Sequence, residues 1–180
     1  MIKTLVHIFF LVTLAAAVTL PFVRTAAAAD AKADVAAHKS CKYCGMDREK
    51  FAHSRMLIEY DDGSTVATCS LHCTAVDLAN NIDKAPRMIK VADYAEKTLI
   101  NAEQASWVIL TGKPGVMTKN AKWAFAGKAG AESFMKENGG KAATFDEAMK
   151  ASYEDMYQDT KMIRERRQMK MKKEGHGMKY

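Results

Sequence analysis

The sequence lacks the equipment of the common enzyme classes. It has no glycine-rich phosphate loop, no Ser–His–Asp set and no paired-carboxylate site. Phosphoryl transfer and the familiar hydrolytic mechanisms need one of these. It also lacks a c-type haem attachment. Haem needs C-x-x-C-H, and in CKYCG the histidine place is filled by Gly45. Cysteine is absent before position 41 and after position 73. A disulfide scaffold would spread its bridges along the chain, so this clustering reads as a single site, with two plain disulfides as the bland alternative. After the first thirty residues no stretch is apolar enough to cross a membrane. Finally, residues 1–160 carry no excess charge. The whole net charge of +6 lies in residues 161–180, where eight basic residues face two acidic ones. Such a block reads first as a solvated helix.

Residues 1–29 have the order of a secretory signal peptide. Lys3 supplies the positive start, LVHIFFLVTLAAAVTLPFV the apolar run, and Ala27–Ala29 an A-x-A cleavage site. An uncleaved anchor is the alternative. No cysteine stands at the end of the apolar run to accept a lipid. The expected location is therefore a periplasm, where a nucleic-acid partner has no place. Residues 30–40 (ADAKADVAAHKS with its flank) read as a flexible lead-in, 41–149 as a metal-binding domain and 150–180 as a basic, Met-rich helical tail.

At 180 residues the chain is expected to fold as one domain. RMLIEY, DDG and STVATC read as a β-hairpin with an Asp-Gly turn. LHCTAVDLANN reads as a helix and RMIKVADY as a strand. SWVIL, KWAFA, AGAESFMKENGG and KAATF repeat that order, with Gly139 and Gly140 stopping the helix. A long helix follows from Phe145. The predicted class is α+β, two ββαβ units in one domain with a long C-terminal helix.

Cys41 and Cys44 form C-x-x-C, and Cys69 and Cys73 form C-x-x-x-C at the end of a hairpin and the start of a helix. A hairpin can fold the second pair back beside the first, so that four thiolates converge tetrahedrally, the geometry zinc prefers. A thioredoxin-like dithiol needs a buried strand before its C-x-x-C, and VAAHKS is no such strand. Thioether ligands suit copper(I) better than zinc. That draws in Met46, two residues past Cys44, and Met117 on a glycine-rich loop. For either methionine alone, packing is the plainer reading. His72 lies inside the second pair. His53 and His38 are weaker candidates. The candidate ligands are thus Cys41, Cys44, Met46, Cys69, His72, Cys73 and Met117, for copper(I) or, alternatively, zinc.

CKYCGM, a Y-D-D-G hairpin turn, VADY, INAEQASWVIL, GVMTKNAKWAFA and AGAESFMKENGGKAATFDEAM follow one another in a set order. In that order they resemble the nitrous-oxide reductase accessory protein family, the NosL-like copper chaperones, over about residues 41–149. The resemblance implies a periplasmic copper(I) carrier with no catalysis of its own. Its implied partners are a copper donor or transporter and the copper–sulfide centre of nitrous oxide reductase, or another copper-requiring exported enzyme. It also implies the duplicated fold, with copper(I) on Cys41, on Cys44 or Met46, and on Met117. Three features depart from the family pattern: no lipid-acceptor cysteine, the segment CSLHC, and the basic tail with Met156, Met162, Met169, Met171, Met178 and His176. CSLHC makes the cysteine half resemble heavy-metal trafficking knuckles. Two rivals follow from the cysteines: a structural zinc protein and a thiol oxidoreductase.

Overall fold

The computed structural model describes residues 33–176, with side chains to residue 174. The expected signal peptide and Met178 lie outside the described residues. Among the described residues, no helix is long and apolar enough to cross a membrane.

The first unit contains β1 (Met56–Tyr60), β2 (Thr65–Thr68), α1 (Leu71–Asn80) and β3 (Pro86–Ala92), with β4 (Leu99–Asn101) added at its edge. The second contains β5 (Ser106–Leu110), β6 (Ala121–Phe125), α2 (Lys128–Asn138) and β7 (Lys141–Ala143), and α3 (Phe145–His176) closes the chain. The sheets run β2-β1-β3-β4 and β6-β5-β7, with every neighbour antiparallel. In both, the unit's first strand lies between its second and third. The α+β class holds, and the two units share hydrogen-bonding order as well as element order. Strand β4 is not legible in the sequence, because three residues are too short to show a period.

The β1–β2 turn forms where Asp-Gly predicts it. Gly63 takes φ 79°, a conformation glycine adopts without steric cost, and the Tyr60 N–H donates to the Ser64 carbonyl at 2.9 Å. Along β1, Met56, Ile58 and Tyr60 are buried while Leu57 and Glu59 are half-buried, the period of a strand covered on one face. Strand β6 is buried at every position. It is covered on both faces, with Ala124 in one core beside Trp107 and Phe145, and Trp123 and Phe125 in a second core beside Val108 and the cysteines. Successive residues of a strand point to opposite faces, so one sheet serves both cores. The sheets are stitched at Asp93: the Tyr94 N–H donates to the Ala124 carbonyl (2.8 Å), and Asp93 Oδ2 accepts from the Ala126 N–H (2.7 Å).

Both ends of the expected domain are tied in further than the sequence suggests. Residues 33–37 form a short helical turn. There the buried Asp34 carboxylate accepts from Arg48 Nη2 (3.0 and 3.1 Å) and Arg55 Nε (2.8 Å), so the lead-in is anchored by an ion cluster that no local pattern announces. Helix α3 runs unbroken through the boundary expected at 149/150. Its Ser152, Asp159 and Met162 are buried, and from residue 164 to 174 every residue is exposed.

Candidate metal centre

The first cysteine pair sits on a closed loop. Ser40 and Asp47 bridge its ends, the Cys41 N–H donates to the Met46 carbonyl (2.8 Å), and the Gly45 N–H donates to the Cys41 carbonyl (3.0 Å). Gly45 has φ 73°, which lets the chain turn that tightly. The Lys42 N–H donates to the Ala67 carbonyl (3.1 Å) and lays the loop along the end of β2. The second pair straddles the junction of β2 with α1. Cys69 follows the strand, Ser70 is extended, and Cys73 lies in the first helical turn. The Thr68 and Thr74 hydroxyls bond at 2.7 Å and hold that junction closed.

These two pieces bring the four sulfurs within 4.8 Å of one another. Cys44 Sγ lies 3.4 Å from Cys69 Sγ, and Cys69 Sγ lies 3.8 Å from Cys73 Sγ. All four are free thiols. A tetrahedron with bonds of about 2.3 Å has edges of about 3.8 Å, so the spacing suits a thiolate-bound ion. The sulfurs also divide protons unequally. Hydrogen bonds from Cys44, Cys69 and Cys73 hold Cys41 far below its ordinary value. The bond to Cys41 pushes Cys44 up, but those from Cys69 and Cys73 outweigh it and leave Cys44 below its ordinary value as well. Bonds to Cys41 and Cys44, with burial, push Cys69 and Cys73 up. Several negative charges cannot share this buried volume alone, and a soft cation would relieve them. Cys41, Cys69 and Cys73 are buried, whereas Cys44 is half-buried and forms the accessible corner.

Met46 and Met117 both pack, partly buried, against the hydrophobic core that contains Cys41, Cys69 and Cys73 together with Val108, Val116 and Trp123. Met117 is held there by a tight turn in which the Gly115 N–H donates to the Thr118 carbonyl (3.0 Å). Gly115 is required: an added Cβ would lie 2.8 Å from the Ala121 Cα. Met117 itself takes φ 64°, the left-handed region that side chains other than glycine seldom adopt. Strain of this kind persists where surrounding structure imposes it, commonly at functional sites.

His72 is not part of the sulfur group. Its side chain is 6% exposed and faces α3, with Nδ1 3.5 Å from Asp159 Oδ2. Burial lowers its pKa, and among the described residues neither of those two atoms has a hydrogen-bond partner. His53 stacks edge-on to Tyr94 and Trp123 at 5.7 and 5.1 Å. His38 contributes its carbonyl to Arg48 Nη1 (2.8 Å).

With that geometry in view, the NosL family's sequence model matches residues 32–153. The chain belongs to the NosL family. No curated protein matches it. Among solved structures it is similar to the copper chaperone NosL from Shewanella denitrificans, at 22% identity, over 61% of this chain and 89% of that one, with a TM-score of 0.48. The NosL match begins before Asp34 and ends inside α3, so it takes in the anchored lead-in as well as both sheets.

Sequence reasoning missed the residues that hold this NosL-family site together. Arg48 is fully buried and donates to Thr68 O (3.1 Å), Met56 O (3.1 Å) and Asp34, so it braces the base of the cysteine loop against β1 and β2. Within MDREK it reads as one more charge on a turn. Asp77 is 0% exposed and accepts from the hydroxyls of Tyr43 and Tyr60 and from Lys42 Nζ (3.3 Å). Its one sequence signal is an acid among apolar residues of α1, four positions after Cys73.

Proposed function

We propose that the protein is a periplasmic copper(I) chaperone that carries copper as cargo to an exported copper enzyme, nitrous oxide reductase being the target the family resemblance implies. The observation that carries this reading is the convergence of four free thiols, with Met46 and Met117 packed on the hydrophobic core that contains three of them. Thiolate and thioether together favour copper(I) over harder ions. Cys44 gives the cage one accessible corner, so an acceptor's sulfur can replace ligands stepwise from that side. No acid, base or nucleophile is needed for such exchange, and the protein acts without catalysis.

An anaerobic copper(I) titration against a chromogenic chelator tests this. The native chain should outcompete the chelator, and a Cys41→Ser/Met117→Ala variant should lose affinity by about 100-fold or more. Weak binding by the native chain, or unchanged binding in the variant, sinks the reading. A second reading has its own support: sulfur spacings of 3.4 and 3.8 Å fit a zinc tetrahedron equally well. Elemental analysis of protein from its native host separates the two. Stoichiometric zinc, with unfolding on chelation, would make the four cysteines a structural staple.

A further inference from the structure

The four-sulfur cage spans a seam. One half, Cys41 and Cys44, rides on the loop before β1, and the other, Cys69 and Cys73, rides on the β2–α1 junction. A bound ion would hold the seam closed, but a carrier must also survive the ion's departure. Asp77 offers a second fastener. It lies one turn beyond Cys73, on the same face of α1. Its Oδ1 accepts from the Tyr43 hydroxyl and from Lys42 Nζ at 3.3 Å, the two residues between Cys41 and Cys44. Its Oδ2 accepts from the Tyr60 hydroxyl on β1. One buried carboxylate therefore binds the middle of the C-x-x-C, the helix bearing Cys73 and β1, an inner strand of the first sheet. Carboxylate bonds of this kind are stronger than neutral ones, and the Asp77 carboxylate is itself fully buried, so losing one leaves a buried acceptor unpaired.

The geometry points to Asp77, acting through Tyr43, as a positioning residue of the metal site: it keeps the two halves of the cage at ligation distance in the metal-free protein. This rests on the four cysteines being the metal site, whichever soft ion is the cargo. A carrier built this way can load and unload without reassembling its ligands, so the binding energy is not spent on ordering the loop.

Two phenylalanine variants separate positioning from plain stability. Tyr43→Phe and Tyr60→Phe each remove one hydroxyl from Asp77, but only Tyr43 belongs to the loop. Affinity is read with copper(I), zinc and cobalt(II), the last through its thiolate charge-transfer band. Tyr43→Phe is expected to lose about 10-fold or more for each ion, and Tyr60→Phe is expected to stay close to native affinity even where its thermal midpoint falls. In the metal-free chain, alkylation of buried Cys41 should quicken about 10-fold in Tyr43→Phe and little in Tyr60→Phe, because it tracks local opening of the loop. Equal effects of the two variants, or no effect of Tyr43→Phe on alkylation, overturn the inference. A native chain that binds zinc or cobalt but not copper(I) would sink the copper reading alone. The alkylation arm decides the inference even without any metal.

Discussion

At the scale of single residues, the site is made by side chains in unfavourable circumstances. Met117 is the clearest case. Its φ of 64° costs a residue with a Cβ about 1 kcal/mol relative to glycine, and the Gly115–Thr118 turn imposes it. The usual ranking of small substitutions should therefore invert here. Met117→Gly is expected to be more stable than Met117→Ala by about 1 kcal/mol in urea unfolding, while both lose copper(I) affinity. Should alanine prove the more stable, the left-handed turn does not exist in solution. Sequence alone could nominate Met117, because a sulfur on a glycine-rich loop is conspicuous. It could not show that His72, nominated because it lies inside the second cysteine pair, turns its ring to Asp159 on α3. Helical spacing places a residue on a face, but which neighbour lies opposite that face is a tertiary fact.

At the scale of elements, most of the fold was legible. The Asp-Gly turn, the helix opening within CSLHC and the Gly139–Gly140 stop all lie where local rules put them. The second glycine of that stop has an additional role. Gly140 takes φ 110°, and an added Cβ would meet Val108 Cγ1 at 2.8 Å and the Ile109 carbonyl at 3.0 Å. The backbone passes so close because β7 must turn straight from α2 onto β5. Gly140→Ala is thus expected to cost about 2 kcal/mol or more in urea unfolding, with loss of protection at the β5–β7 amides in hydrogen exchange. Gly127→Ala, with open space around the new Cβ, is the contrasting control. What remained illegible was β4, and the helical turn at 33–37 whose Asp34 is held by arginines 14 and 21 positions away.

At the scale of the whole molecule, helix α3 has two regions. Up to Met162 it closes the structure: Phe145 and Ala148 join the main core, and Asp155 and Asp159 hold the segment that follows Met117 through Asn120, Lys122 and the Lys119 N–H. From residue 164 it is exposed, and Met169 and Met171 stand 56% and 63% open. Truncation after Arg164 should therefore leave the urea midpoint within about 0.5 kcal/mol of native stability and copper(I) affinity unchanged. A large loss of either would mean that the exposed methionines belong to the site. The same contrast separates what each level of description decided. The sequence by itself determined the order of the elements other than β4 and the turn at 33–37, the two-unit repeat, the turns and the soft-ligand chemistry, because these depend on residues a few positions apart and on the nature of sulfur. Only the tertiary structure decided that the four thiols converge, that Met46 and Met117 pack on the core holding three of them while His72 faces elsewhere, and that Arg48 and Asp77 brace the cysteine loop. Those outcomes depend on contacts between residues dozens of positions apart, whose cost in chain entropy is offset only when both cores close together.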